Sequence, residues 1–209
     1  MKNLKLFIWD FDGTLLNTYP NIIRYLHNAV NDCGYEADNL VILEKMMVNI
    51  PYAINYYSEL YGISDLSERF KTYRLENEKN DPAGIFPHVK EVLERINEIG
   101  AQSYIFTNRG DSIYQLLERE GISPYFKEVI TARNEHFKVK PAPDVIFYLM
   151  EKYGGTPENT VMIGDRVCDL EAGYNAGCKT IHLLTPAVPQ YPPCDWRISN
   201  FKEMLDVLK

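Results

Sequence analysis

No run of apolar residues in this 209-residue chain approaches the roughly 20 that a membrane-spanning helix needs. The apolar stretch near Met1 is interrupted at Asp10, too short and too acidic for a secretory leader. A cytoplasmic protein with no membrane partner is therefore expected. Four cysteines, Cys33, Cys168, Cys178 and Cys194, show no C-x-x-C spacing, and no histidines pair at zinc-finger distance. Reduced thiols are expected, and Cys168 is read as a packing residue of a helix. Basic residues are in deficit: 22 Lys and Arg stand against 29 Asp and Glu, a formal charge of −7. A nucleic-acid partner is not expected, because binding phosphate backbones calls for a basic patch. A small anionic substrate stays open, since a metal ion and a few donors can reverse the field inside one pocket. Internal repeats and low-complexity tracts are absent from the sequence.

What the chain does have is alternation. LKLFIW at 4–9 is a short apolar strand, followed by a helix over about 20–33 that ends at Gly34. From about 38 to 79 apolar residues recur at three- and four-residue steps, which predicts three helices. Asn80-Asp81-Pro82-Ala83-Gly84 is a turn-rich return crossing. Strand and helix then alternate: helices over 88–99, 111–120, 143–153 and 167–176, and strands over 102–107, 128–131, 160–163 and 179–184. An edge strand at 196–199 and a last helix over 200–209 follow. Strands spaced by helices predict an α/β core, a parallel sheet covered on both faces, with ligands beyond the carboxyl ends of its strands.

The chemistry-bearing residues fall at those ends. Asp10-Phe11-Asp12-Gly13-Thr14 follows the first strand, Thr107-Asn108 a second, and Gly164-Asp165 a third with Asp169 four residues on. Lys140 lies in a loop before a helix. Asp10 and Asp12, two apart in extended chain, can point the same way while Phe11 turns into the core. One carboxylate of such a pair can attack while the other donates a proton. Asp165 and Asp169, four apart at a helix start, share a face. Oxygen ligands without competing nitrogens point to magnesium over zinc. Lys140 supplies fixed positive charge, and Thr107 and the Asn108 amide can donate to phosphate oxygens. A single Asp at a strand end is usually a turn former; the weight here lies in the ordered set. A calcium loop starting at Asp10 is excluded, since its sixth and twelfth positions hold Leu15 and Asn21 where Gly and Glu are needed.

These stretches carry a family resemblance. Asp10-Phe11-Asp12-Gly13-Thr14-Leu15-Leu16, Phe106-Thr107-Asn108, Lys140-Pro141-Ala142-Pro143-Asp144 and the segment from Gly164 to Gly173 resemble the haloacid dehalogenase-like hydrolase superfamily. Within it the chain is similar to the phosphoglycolate phosphatase and β-phosphoglucomutase group. The resemblance implies a Rossmann-like core domain at 1–16 and 83–209 and an inserted all-helical cap at 17–82. It implies that Asp10 attacks phosphorus to form an aspartyl-phosphate, and that Asp12 protonates the leaving alcohol and then activates water. Magnesium would be held by Asp10, Asp12 through its carbonyl, and Asp165, with Asp169 in support. Thr107, Asn108 and Lys140 would hold the phosphoryl group of a small phosphorylated metabolite.

Many relatives carry Asp where this chain has Asn17. The cap tyrosines Tyr52, Tyr56, Tyr57, Tyr61 and Tyr73 are read as packing residues. Arg24, Arg69, Arg74 and, next to a strand end, Arg109 are candidates for a second acidic group of the substrate. A sugar-phosphate phosphomutase is the alternative activity on the same scaffold. A dehalogenase is disfavoured by the metal ligand Asp165, and a non-catalytic binding protein by the intact acidic set. The sequence carries no signal for an oligomeric state.

Overall fold

The computed structural model describes residues 3–80, 83–185 and 193–208. Asp81 and Pro82 of the expected return crossing, and Lys209 of the expected last helix, lie outside them. Two compact units result: 3–17, 84–185 and 193–208 form the first, and 18–80 with Ala83 the second.

The first unit is built on six strands: β1 (Leu6–Trp9), β2 (Gln102–Phe106), β3 (Phe126–Ile130), β4 (Thr160–Gly164), β5 (Lys179–Leu183) and β6 (Trp196–Ile198). Their order is β3-β2-β1-β4-β5-β6, and every pairing is parallel. This is an α/β, Rossmann-like sheet. Leu6, Phe7, Ile8 and Trp9 are all buried, as expected for a central strand covered on both faces. The two-residue period sorts them. Phe7 and Trp9 enter one apolar cluster with residues of α5 (Val89–Glu98), α6 (Ser112–Arg119) and α9 (Phe201–Val207). Leu6 and Ile8 enter the other, with α7 (Asp144–Tyr153) and α8 (Val167–Asn175). Trp9 also donates its indole N–H to Ser103 Oγ at 3.2 Å, so its one polar atom is satisfied inside the core.

The second unit packs α1 (Tyr19–Asn31), α2 (Asn39–Val48), α3 (Ile50–Tyr61) and α4 (Leu66–Asn77) around their own core of Ile22, Leu26, Ile42, Ile54, Leu66 and Phe70 among others. Local chemistry sets the helix ends. Asp38 Oδ1 accepts from the N–H of Leu40 at 2.7 Å and opens α2. Asn49 Oδ1 accepts from Tyr52 N–H at 2.7 Å and opens α3. Gly62, at φ 68°, closes α3 in a left-handed turn that a residue with a Cβ resists. Tyr57 is buried, Tyr61 stacks on Tyr35 at 4.4 Å, and the Tyr73 hydroxyl donates to Asp32 Oδ2 at 2.5 Å. Tyr56 packs edge-on against Tyr57 at 5.1 Å, so four of the five cap tyrosines are engaged within this unit. Two of its arginines are paired locally, Arg69 with Asp65 at 2.9 Å and Arg74 with Glu78 at 3.0 Å. Among the described residues no helix is long and apolar enough to cross a membrane.

Candidate active site

β1, β2 and β4 are neighbours in the sheet, and their carboxyl ends deliver Asp10, Thr107 and Asp165 side by side. Beyond Asp10 the chain turns tightly: Leu15 and Leu16 N–H both bond back to Phe11 O at 3.0 and 3.1 Å. Gly13, at φ 80°, makes that turn possible. Phe11 is fully buried, as its spacing predicts.

Asp10 is fully buried. Its Oδ1 accepts from Lys140 Nζ at 2.5 Å. Its Oδ2 accepts no hydrogen bond and stands 3.6 Å from Arg166 Nη2. Burial, then the neighbouring Asp169 charge, holds the Asp10 carboxyl above its ordinary range against the pull of Lys140 and Arg166. Lys140 Nζ also meets Asp169 Oδ1 at 2.5 Å. Burial acts to lower the Lys140 pKa, but Asp10 and Asp169 outweigh it and the ammonium is held above its ordinary value. Burial would raise the Asp169 carboxyl too; Lys140 and Arg166 win there and lower it. Of the two carboxylates that meet Lys140, Asp169 is thus held below the ordinary carboxylate range and Asp10 above it.

Asp165, fully buried, accepts from the Thr14 hydroxyl at 2.9 Å. Ligand oxygens of Asp10, Asp165 and Asp169 all lie within 4.8 Å of one another. The convergence does not come from a shared helix face, as the four-residue spacing predicts. α8 begins at Val167, so Asp165 precedes the helix and only Asp169 is on it. Asp169 sits in the first turn, where its Oδ2 accepts from Arg166 N–H at 3.0 Å and the helix dipole favours its charge. The turn after β4 brings the two together. The formal charges of these three carboxylates, Lys140 and Arg166 sum to −1 in a dry cluster. An all-oxygen donor set with a bare carboxylate oxygen and that charge fits a hard divalent cation.

Gly164 makes the approach of Asp169 possible: a Cβ on it would fall 2.2 Å from Asp169 Cβ. Gly164→Ala is therefore expected to push Asp169 off Lys140 and to lower kcat by about 10²-fold, the cost of a misplacement near 1 Å. Steady-state kinetics beside a thermal melt checks this. An Ala variant with unchanged kcat would mean that Asp169 has no fixed place in the reaction.

The other expected site residues have definite partners. Asn108 turns its side chain onto the backbone of Lys140, its Oδ1 accepting from Lys140 N–H at 3.0 Å and its Nδ2 donating to Lys140 O at 3.4 Å. In this structure its side-chain amide anchors the lysine loop, although a phosphate oxygen is the expected acceptor. Thr107 Oγ1 accepts from Arg109 N–H at 3.1 Å, which leaves the hydroxyl proton available. The Asp12 carboxylate is gripped by Arg109, with Nη2 to Oδ1 at 2.6 Å. Arg109, read in the sequence as a partner for an acid of the substrate, already holds an acid of the chain. Arg166 is a site cation that residue spacing does not flag; its place between Asp165 and Asp169 is the one available signal. Burial pushes the Cys168 thiol up to about 12, consistent with a packing role and not a nucleophile.

The family model for haloacid dehalogenase-like hydrolases matches residues 7–183. A phosphoglycolate phosphatase of Vibrio parahaemolyticus is 31% identical over 87% of this chain and 84% of its own. A second, from Haemophilus influenzae, is 28% identical over 98% of both chains. A solved protein from Haemophilus somnus, 24% identical and covering 100% of both chains, has the same fold with a TM-score of 0.87. With its family model spanning most of the sequence and the strand-end acids in their expected order, the chain belongs to the haloacid dehalogenase-like hydrolases.

Proposed function

We propose that this protein is a magnesium-dependent phosphatase that hydrolyses a small phosphomonoester through an aspartyl-phosphate on Asp10. One observation carries the reading: a buried carboxylate with one oxygen on a lysine and the other bare, beside two more buried carboxylates. An Asp10 carboxylate oxygen is the nucleophile. As it bonds to phosphorus, the ester oxygen leaves and takes a proton from Asp12. A water then attacks the phosphoryl group, its proton returns to Asp12, and the Asp10–phosphorus bond breaks to release inorganic phosphate.

Lys140 offsets the charge gathering on the phosphoryl oxygens, the main electrostatic demand of such a transfer. Thr107, through its free hydroxyl proton, and Asn108 hold the phosphoryl group, and Asn108 also keeps Lys140 in place. Asp10, the Asp12 carbonyl and Asp165 would hold magnesium, with Asp169 in support; the bound ion would neutralise phosphate charge and orient the oxygens for in-line displacement. The helical unit is the family's cap domain and carries substrate choice. The curated relatives named above are phosphoglycolate phosphatases, so phosphoglycolate heads the substrate panel.

The test is phosphate release from phosphoglycolate, sugar phosphates, nucleotides and an aryl phosphate, with magnesium and with a chelator. Release is expected from at least one ester and is expected to stop under chelation. Release that continues undiminished with the metal removed would overturn the reading.

A further inference from the structure

The Arg109 side chain is 1% exposed, and its guanidinium meets Asp12 and Ser112. Nε donates to both Asp12 oxygens, at 3.1 and 3.0 Å, and Nη2 donates to Oδ1 at 2.6 Å. Nη1 donates to Ser112 Oγ at 3.0 Å, and the guanidinium carbon sits 5.4 Å from the centre of the Phe11 ring. The backbone is pinned as well: Arg109 N–H bonds to Thr107 Oγ1, and Arg109 O accepts from Ala132 N–H at 3.0 Å. Asp12 lies past the end of β1, before a glycine at positive φ, and its backbone is held by an isolated bridge to Leu16.

We propose that Arg109 is a positioning residue that sets the aim of the Asp12 carboxylate, and through it the transfer of a proton to the leaving group. The inference rests on the reading of Asp12 as acid and base given above. A carboxylate held by a fork cannot swing about its side-chain bonds. The carboxylate is then aimed in one direction, and the proton that Asp12 gives the leaving oxygen is delivered along it. Lysine cannot do this: its ammonium offers one point of charge where the site needs two nitrogens in a fixed plane. Ser112 and Phe11 in turn fix the plane of the fork.

The readout is the ratio of kcat/KM for two esters. A nitrophenyl phosphate releases an anion that needs no proton, whereas an alkyl phosphate such as phosphoglycolate does. Because kcat/KM covers only the steps through departure of the leaving group, the later attack of water does not enter. In Arg109→Met and Arg109→Lys alike, kcat/KM for the alkyl ester is expected to fall about 10²-fold, the lower end of what general-acid catalysis supplies, and for the aryl ester less than about 10-fold. Arg109→Met leaves the Asp12 charge buried and is expected to weaken the fold. The double variant Asp12→Asn with Arg109→Met removes both charges. It is expected to fold and to show the same two kcat/KM values as Asp12→Asn alone.

Equal losses for both esters, or a further loss in the double variant, would overturn the proposal. The underlying reading fails separately: it falls if Asp12→Asn leaves the alkyl-to-aryl ratio unchanged, whereas a ratio altered by Asp12→Asn but not by Arg109→Met removes the arginine's role alone.

Discussion

Asp10→Asn is expected to lower kcat by about 10³-fold or more while leaving the protein as stable as the wild type, or more so, when no metal is present. The two effects have one cause. Asp10 is fully buried with one oxygen unbonded, and burial and Asp169 together oppose its charge. An ionised carboxylate in that place is costly to keep, and the proposed role as nucleophile is a reason to keep it. The amide has the same shape. Its oxygen can still accept from Lys140, and it brings the charge of the three carboxylates and two cations from −1 to zero. It cannot attack phosphorus. Kinetics and chelated thermal melts on the same preparation check both halves. An Asn variant that turns over at the wild-type rate would place the nucleophile elsewhere. A variant that is inactive because it has unfolded would show that Asp10 holds the core together and is not a strained functional group.

The sheet and the position of its candidate site are legible in the sequence because both follow from short-range rules. LFIW reads as a central strand because burial on both faces leaves no room for a polar residue. Acids at the ends of β1 and β4 then fall on one edge, whatever the loops between them do. β3 is harder to place: the expected strand at 128–131 runs instead from Phe126 to Ile130. Its residues are mostly half-buried and its register with β2 shifts between Ser103 and Ile105, so neither apolar run nor strict alternation marks it.

The wiring of the site was not legible, because it depends on rotamers of residues far apart in the chain. Arg109 and Asp12 are 97 positions apart and Asn108 and Lys140 are 32 apart. Two-residue spacing allows Asp10 and Asp12 a common direction. It carries no information about which cation each will meet. Helix spacing placed Asp165 and Asp169 together for the wrong reason, since the turn after β4 joins them and α8 begins only at Val167. Arg166 went unread because an arginine between two acids in a loop usually faces water.

Lys140→Met should show the opposite pattern from Asp10→Asn, losing activity and stability together. The ammonium is fully buried and is shared by Asp10 and Asp169, both at 2.5 Å. Methionine fills similar space without the charge, so two carboxylates would face each other with Arg166 left to offset them. Removing one partner of a buried ion pair costs about 3–5 kcal/mol, far more than an exposed pair is worth. A chelated melt should therefore fall clearly below that of the wild type. The remaining cluster carries one more negative charge, and Lys140 no longer competes for Asp10 Oδ1 and Asp169 Oδ1. Added magnesium is thus expected to raise the melting temperature of Lys140→Met by more than it raises that of the wild type, through ordinary binding linkage. Activity should still be down by about 10²–10³-fold at saturating magnesium, because the lysine's fixed charge on the phosphoryl oxygens is gone. An equal magnesium shift in both proteins would mean that the ion does not bind among these carboxylates. A variant with wild-type kcat would remove Lys140 from the chemistry and leave it a purely structural charge.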